Sequence, residues 1–160
     1  MRKGTDLITL DTLIELRECK EGREFFAEHH PDGGEYQKVL DTACEHGRPD
    51  FASWLLGELG PTDDVLAVDE IKTDGAVVFA GKIVVERSIE AGREIKAGRE
   101  IKAGREIKAG EWINAGYDSG IYAGLKAKLS DKFNRTVTAK IKPDNLMCGE
   151  FAPLEDRHED

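Results

Sequence analysis

From Val65 onward an aliphatic residue returns at every sixth position: Val65, Ile71, Val77, Ile83, Ile89, Ile95, Ile101, Ile107 and Ile113. A second row follows two residues later, at Ala67, Thr73, Phe79, Val85, Ala91, Ala97, Ala103, Ala109 and Ala115. Residues i and i+2 of a strand point to the same side. Both rows are therefore expected to face inward, with Glu90, Lys96, Lys102, Lys108 and Asn114 between them facing out. Glycine comes next at 92, 98, 104, 110 and 116, where a corner with positive φ is expected. A short strand plus a corner, repeated, predicts a β-solenoid. A helix is excluded by rotation, since six residues at about 100° each turn successive isoleucines to three different sides.

Three hexads per triangular coil would stack residue i on residue i+18. Lys72, Glu90 and Lys108 then form one outward column, Lys82, Glu100 and Asp118 another, and Arg93 meets Glu111. Such opposite-charge neighbours favour the register, against which stands only Arg87 over Arg105. Residues 65–118 would make about three coils, roughly 14 Å tall at the usual strand spacing. Beyond them Gly120-Ile121-Tyr122-Ala123-Gly124 repeats the motif out of phase, and Val137, Ala139 and Ile141 alternate like a further strand.

Ahead of the repeat the pattern is helical. Thr9 or Asp11 can cap a helix carrying Leu13, Ile14 and Leu16, with Gly22 as its interruption. Phe25 and Phe26 mark a second segment that stops at Pro31-Asp32-Gly33-Gly34. Tyr36, Val39, Leu40 and Ala43 make one helical face, and Phe51, Trp54, Leu55 and Leu59 another, opened by Pro49 and closed by Gly60-Pro61. Leu56 lies off that stripe and is a candidate contact with the repeat. The fold class is α+β: a small helical domain, residues 1–62, capping a short parallel β-helix of hexapeptide repeats, residues 63–151, with a flexible acidic tail at 152–160.

Charge adds a polarity to this layout. Formal net charge is −9, and residues 1–64 hold 15 acidic against 7 basic side chains, so this third would repel phosphates and no direct nucleic-acid contact is expected of it. Cys19, Cys44 and Cys148 have neither disulfide nor zinc spacing, which points to a reducing cytoplasm. No apolar run is long enough to span a membrane. His29, His30, Cys44 and His46 offer metal-type donors at a spacing that matches no site, and no nucleophile or phosphate-loop motif is present. No catalytic residue, metal or cofactor is expected. Arg87, Arg93, Arg99 and Arg105 fall on successive faces beside glutamates, as a salt-bridged surface would.

The stretch LRECKEGREFFAEHHPDGGEYQKVLDTACEHGRPDFASWLL, followed by SIEAGREIKAG, resembles uncharacterised phage and prophage proteins with a helical N-terminal module and I-x-A-G repeats, over roughly residues 7–124. The repeat alone is similar to bactofilins, right-handed β-helices that polymerise, and implies a right-handed coil. The resemblance implies a non-catalytic phage-type inhibitor of a host defence or nucleic-acid-handling protein complex, of anti-CRISPR kind, in the bacterial cytoplasm. The acidic Glu15, Glu18, Glu21, Glu24, Glu28 and Asp32 are its candidate partner-binding residues. Trp112, Tyr117 and Tyr122 join them because they break the charged columns and such side chains are enriched in hot spots. The alternative is a self-assembling scaffold, with a homodimer through the C-terminal end of the solenoid as its simplest form.

Overall fold

A computed structural model describes residues 3–154 apart from 129 and 132; most of the expected tail, 155–160, lies outside the described residues. Two short strands, Leu7–Ile8 (β1) and Gly34–Glu35 (β2), pair antiparallel and staple the start of the chain to its helices. The first helix, Leu10–Glu15 (α1), is capped by Thr9, whose hydroxyl accepts the Thr12 N–H while the Thr12 hydroxyl accepts the Thr9 N–H. It ends at Arg17, which has a φ of 61°, so Gly22 is not the interruption. Gly22 is instead buried inside the second helix, Lys20–His29 (α2), where a Cβ would run into the Glu18 side chain. In the helices Tyr36–Glu45 (α3) and Pro49–Leu59 (α4) the anticipated faces are buried, Trp54 only partly, and Leu56 is covered as well.

The solenoid has three walls. Wall one stacks Val65–Val68 (β3), Lys82–Val85 (β6), Ile101–Ala103 (β9), Ile121–Tyr122 (β12) and Leu146–Cys148 (β14). Wall two stacks Ile71–Thr73 (β4), Ile89–Ala91 (β7), Ile107–Ala109 (β10), Thr136–Ala139 (β13) and Glu150–Pro153 (β15). Wall three has three strands, Val77–Phe79 (β5), Ile95–Ala97 (β8) and Ile113–Asn114 (β11). Every pairing within the walls is parallel, and the central coils keep the 18-residue register, as in Ile71 on Ile89 and Ile89 on Ile107. The isoleucines from Ile83 to Ile113 are buried and form one continuous core with the alanines two residues on.

Regularity fails at both ends. Val65 pairs with Lys82, a step of 17, so Leu66 and Val68 turn inward and Val65 and Ala67 do not, one residue out of the expected phase. After Ile113 the step lengthens to 20, Ile101 pairing with Ile121. The coil count is about five rather than three, because β12 to β15 continue walls one and two beyond residue 118. Ile141 lies outside β13 and is exposed. Residues 140–145 cross wall three above β11, with the Lys140 N–H donating to the Glu111 carbonyl at 2.8 Å. Pro143 is buried in that crossing and has no N–H to donate to a ladder, and no fourth strand forms there.

The repeat glycines serve another purpose than the expected positive φ. Positive φ is found at Gly33, Gly47, Gly60, Gly124 and Gly149, and at none of the glycines 92, 98, 104, 110 and 116. A Cβ at any of these five would collide with a backbone carbonyl 18 residues earlier, that of Asp74, Ala80, Glu86, Gly92 and Gly98 in turn. The corners of consecutive coils approach so closely that no side chain fits between them.

The helical module covers the first strand of wall three. Val78, on the outer side of β5, and Ala80 are buried in the core formed by the helices. The side-chain amide of Gln37 accepts the Ala80 N–H at 2.9 Å and donates to the Val78 carbonyl at 3.0 Å, as a neighbouring strand would. Lys96 donates to the Ser53 hydroxyl at 2.6 Å, and Arg99 pairs with Asp63 at 2.9 Å. The module thus covers both the outer face and the free edge of β5, capping one wall of three.

Gly98→Ala should destabilise the protein by about 1–3 kcal/mol through forced separation of two corners, read as a lower midpoint in chemical denaturation. A midpoint equal to that of the native chain would show that the corners do not need the close approach.

Candidate binding surface

The corner after β11 is where the repeat breaks, and it projects aromatic side chains into solvent. Tyr117 is 95% exposed. Asp118 beside it has a φ of 58°, a left-handed turn that aspartate tolerates better than most side chains. The corner is fixed from both sides: the Ser119 N–H donates to the Gly116 carbonyl at 3.0 Å, and the Asn145 side chain donates to the Ser119 carbonyl. Tyr122, half-buried on β12, carries the Lys102 ammonium 5.4 Å from its ring centre, a cation–π contact. Together with Asn114, Asp144 and the exposed Met147 they line an open cavity of about 590 Å³.

Trp112 does not line this cavity. Its indole N–H donates to a Glu94 carboxylate oxygen at 3.3 Å, one coil below. The acidic set is divided too. Glu21, Glu24 and Glu28 share an exposed stripe of α2, with Lys20 3.8 Å from Glu24. Glu15 ends α1, Glu18 accepts the Cys19 N–H, and Asp32 lies in the following turn. Sequence reasoning missed Met147 and Asn145, which carry no periodic signal, and Gln37, whose role depends on a strand 40 residues away.

The arginines are largely occupied by carboxylates. Arg93 meets Glu111 at 3.0 Å, and Lys82 meets Glu100 at 2.9 Å, as the 18-residue columns require. Arg87 escapes the like charge of Arg105 by turning to Asp69 at 2.7 Å and Glu70 at 3.3 Å.

Residues 1–59 match the family model described as YdhT N-terminal domain. The match ends with α4, and the chain is similar to that family over its helical module while the repeats lie outside it; the match itself carries no phage or inhibitor identity. No curated protein and no solved structure matches the chain. Among the described residues no helix is long and apolar enough to cross a membrane.

The YdhT-like module holds the most concentrated side-chain chemistry. The His29 and His46 rings stack at 4.2 Å, Phe25 touches both, and the Arg48 guanidinium lies 5.5 Å from the Phe25 ring centre. Burial, reinforced by His29, holds His30 below the usual imidazole range. Among the described residues no group of three or more His, Cys, Asp or Glu is placed to hold a metal ion. Cys44 faces the mouth of the first coil, where burial, then Asp41 and Glu94, push its thiol up to about 12. Burial likewise raises the Glu94 carboxyl above its ordinary range, opposed by the Trp112 hydrogen bond.

Two outcomes follow. At pH 8 iodoacetamide should modify the exposed Cys19 in the native protein and leave Cys44 untouched, because the thiolate is the reactive form; mass spectrometry showing equal labelling of the two would contradict the burial of Cys44. Because the folded pKa of Glu94 is raised, its stabilising contribution is present at acid pH and lost as pH rises through that folded value. Glu94→Gln, which still accepts from Trp112, should therefore unfold at higher temperature than the native chain at pH 7. That advantage should vanish below about pH 4.

Proposed function

We infer that the protein is a non-catalytic protein-binding module whose contact surface centres on the Tyr117 corner. The observation that carries this reading is Tyr117 itself, an aromatic ring almost fully in water on a corner tied down by hydrogen bonds. Tyrosine offers a large contact area with little rotamer entropy to lose, and a pre-formed backbone reduces the ordering needed on binding. Tyr122 and Met147 extend the apolar patch, while Asp118, Asp144 and Asn145 form its polar rim, the layout of an interface centre with its surround. The non-catalytic part of this reading is supported by Cys44, whose thiol burial pushes up to about 12, and by His29 and His46, whose rings stack on each other.

The finer form of this reading is a phage-type inhibitor that occupies a host defence or nucleic-acid-handling complex. Its support is the acidity of the helical module, whose exposed α2 stripe of Glu21, Glu24 and Glu28 presents the charge that such a complex meets in its nucleic acid. The three cysteines are free, in keeping with a reducing bacterial cytoplasm.

Affinity capture from a bacterial lysate containing active CRISPR surveillance complexes tests both levels. Native protein should retain a defined heteromeric partner, and Tyr117→Ala with Tyr122→Ala should weaken it by about 2 kcal/mol or more, roughly thirtyfold. Capture unaffected by those changes would remove the corner from the reading. Recovery of the bait alone, as a growing oligomer, would favour the scaffold alternative.

A further inference from the structure

The two ends of the solenoid differ in how they treat unpaired backbone. At the C-terminal end β14 joins β12 through a register shift, Gly149 bends the chain at a φ of 113°, and β15 ends in Pro153. Bulges and edge prolines are devices that stop another chain from adding a strand. Among the described residues the N-terminal end carries none of them on walls one and two. The Asp64 and Val68 carbonyls accept from the Lys82 and Glu86 N–H groups at 2.9 and 3.1 Å. By strand alternation, the N–H and C=O groups of Val65 and Ala67 then point to the open edge. In wall two Ile71 donates to Ser88 and Thr73 accepts from Gly92, which leaves the Lys72 backbone on the edge. On wall three the equivalent groups, the Val78 carbonyl and the Ala80 N–H, are the ones Gln37 satisfies.

The open edge borders an open interior. Ile83, Ile89 and Ile95 of the second coil are fully buried, whereas Leu66, Ile71, Val77 and Phe79 of the first are only partly covered. They line a mouth of about 410 Å³ together with Asp41, Cys44 and Glu45 of α3. Asp41 and Glu45 are its acidic lining; in the first coil Arg99 takes up Asp63 and Arg87 takes up Asp69 and Glu70, which leaves Asp64 and Asp74 against Lys72. Asp41 and Glu45 lie four residues apart on α3, so both carboxylates come to the same side of the rim.

We propose that the first coil is a β-augmentation site, in which an extended segment of a partner protein, apolar at alternate positions and flanked by lysine or arginine, adds a strand to β3. Main-chain pairing to Val65 and Ala67 supplies affinity, and the mouth below Leu66 and Val77 takes the alternate side chains. The acidic rim selects basic flanks and repels a second copy of this end. The surface is separate from the Tyr117 corner, so each stands or falls alone.

The test uses the full chain and a synthetic peptide with a strand of about five residues, valine alternating with threonine, and two lysines at each end. A companion peptide carries glutamate in place of every lysine. Titration followed by amide chemical shifts should move β3 and β4 with the lysine peptide and leave them still with the glutamate one. Ala67 stands opposite Val84 but gives β6 no backbone hydrogen bond by strand alternation, so Ala67→Pro removes an edge donor without removing a bond to β6 and should retain the native circular dichroism and melting temperature while weakening the peptide by about tenfold or more. Tyr117→Ala should bind the peptide as the native chain does. Equal binding of the two peptides, an unaltered affinity in Ala67→Pro, or shift changes confined to other walls would each overturn the proposal. So would self-association of the native protein that Ala67→Pro abolishes, since the occupant would then be a second copy.

Discussion

The architecture rests on how closely one coil can sit upon the next at its corners. Parallel strands in a wall lie about 4.8 Å apart, and a corner must keep that spacing while the chain changes direction. At the repeat glycines the backbone passes directly over the carbonyl of the residue 18 positions earlier, leaving no room for a Cβ. This close approach holds each Ile-x-Ala strand in register with its neighbours. Register in turn buries the isoleucine and alanine rows and brings Arg93 to Glu111 and Lys82 to Glu100. The ion pairs are half-exposed and contribute little singly; the packed rows and the ladder do most of the stabilising.

A ladder of this kind must end, and its ends shape the rest of the molecule. The helical module cannot bury all its apolar faces by itself, since short helices are marginal in water, and β5 offers both an apolar outer face and unpaired backbone. Val78 meets the first need and Gln37 the second. The two parts thus share a core, and the module's position on wall three leaves walls one and two with free edges at the start of the coil.

What could be read from the residues was whatever repeats. Six-residue periodicity identified the solenoid, its 18-residue register and the Lys82–Glu100 and Arg93–Glu111 pairs, although the 20-residue step carries Asp118 off Glu100, and helical spacing located α3 and α4 closely. The repeat glycines were visible but their reason was not, because a steric contact between residues 18 apart leaves the same mark in sequence as a requirement for positive φ. Leu66 was displaced by a one-residue contraction that a run of small and aliphatic side chains, VLAV, conceals. The last coils were hidden because the 20-residue step, the Pro143 crossing and the bulge at β14 erase the period. Among the candidate contact residues, Tyr117 and Tyr122 came together because they flank one corner, whereas Trp112, on the same stretch of sequence, was drawn to Glu94 by the stacking of coils.

The features that break the period are also the ones that present chemistry to solvent. Within the regular coils outward side chains stack on those above and below, and Lys82 meets Glu100 and Arg93 meets Glu111. Where the step contracts to 17 the first coil keeps an open edge and an open interior, and where it expands to 20 the chain swings out Tyr117 and the left-handed Asp118. Irregularity in an otherwise self-consistent fold is retained against the stability that regular stacking would supply, which makes it the natural place for contacts with other molecules. The fold alone does not choose the partner. What the breaks in the period leave to solvent are an open strand edge at one end of the coil and an aromatic corner at the other, and the continuous isoleucine and alanine rows of the core run between them.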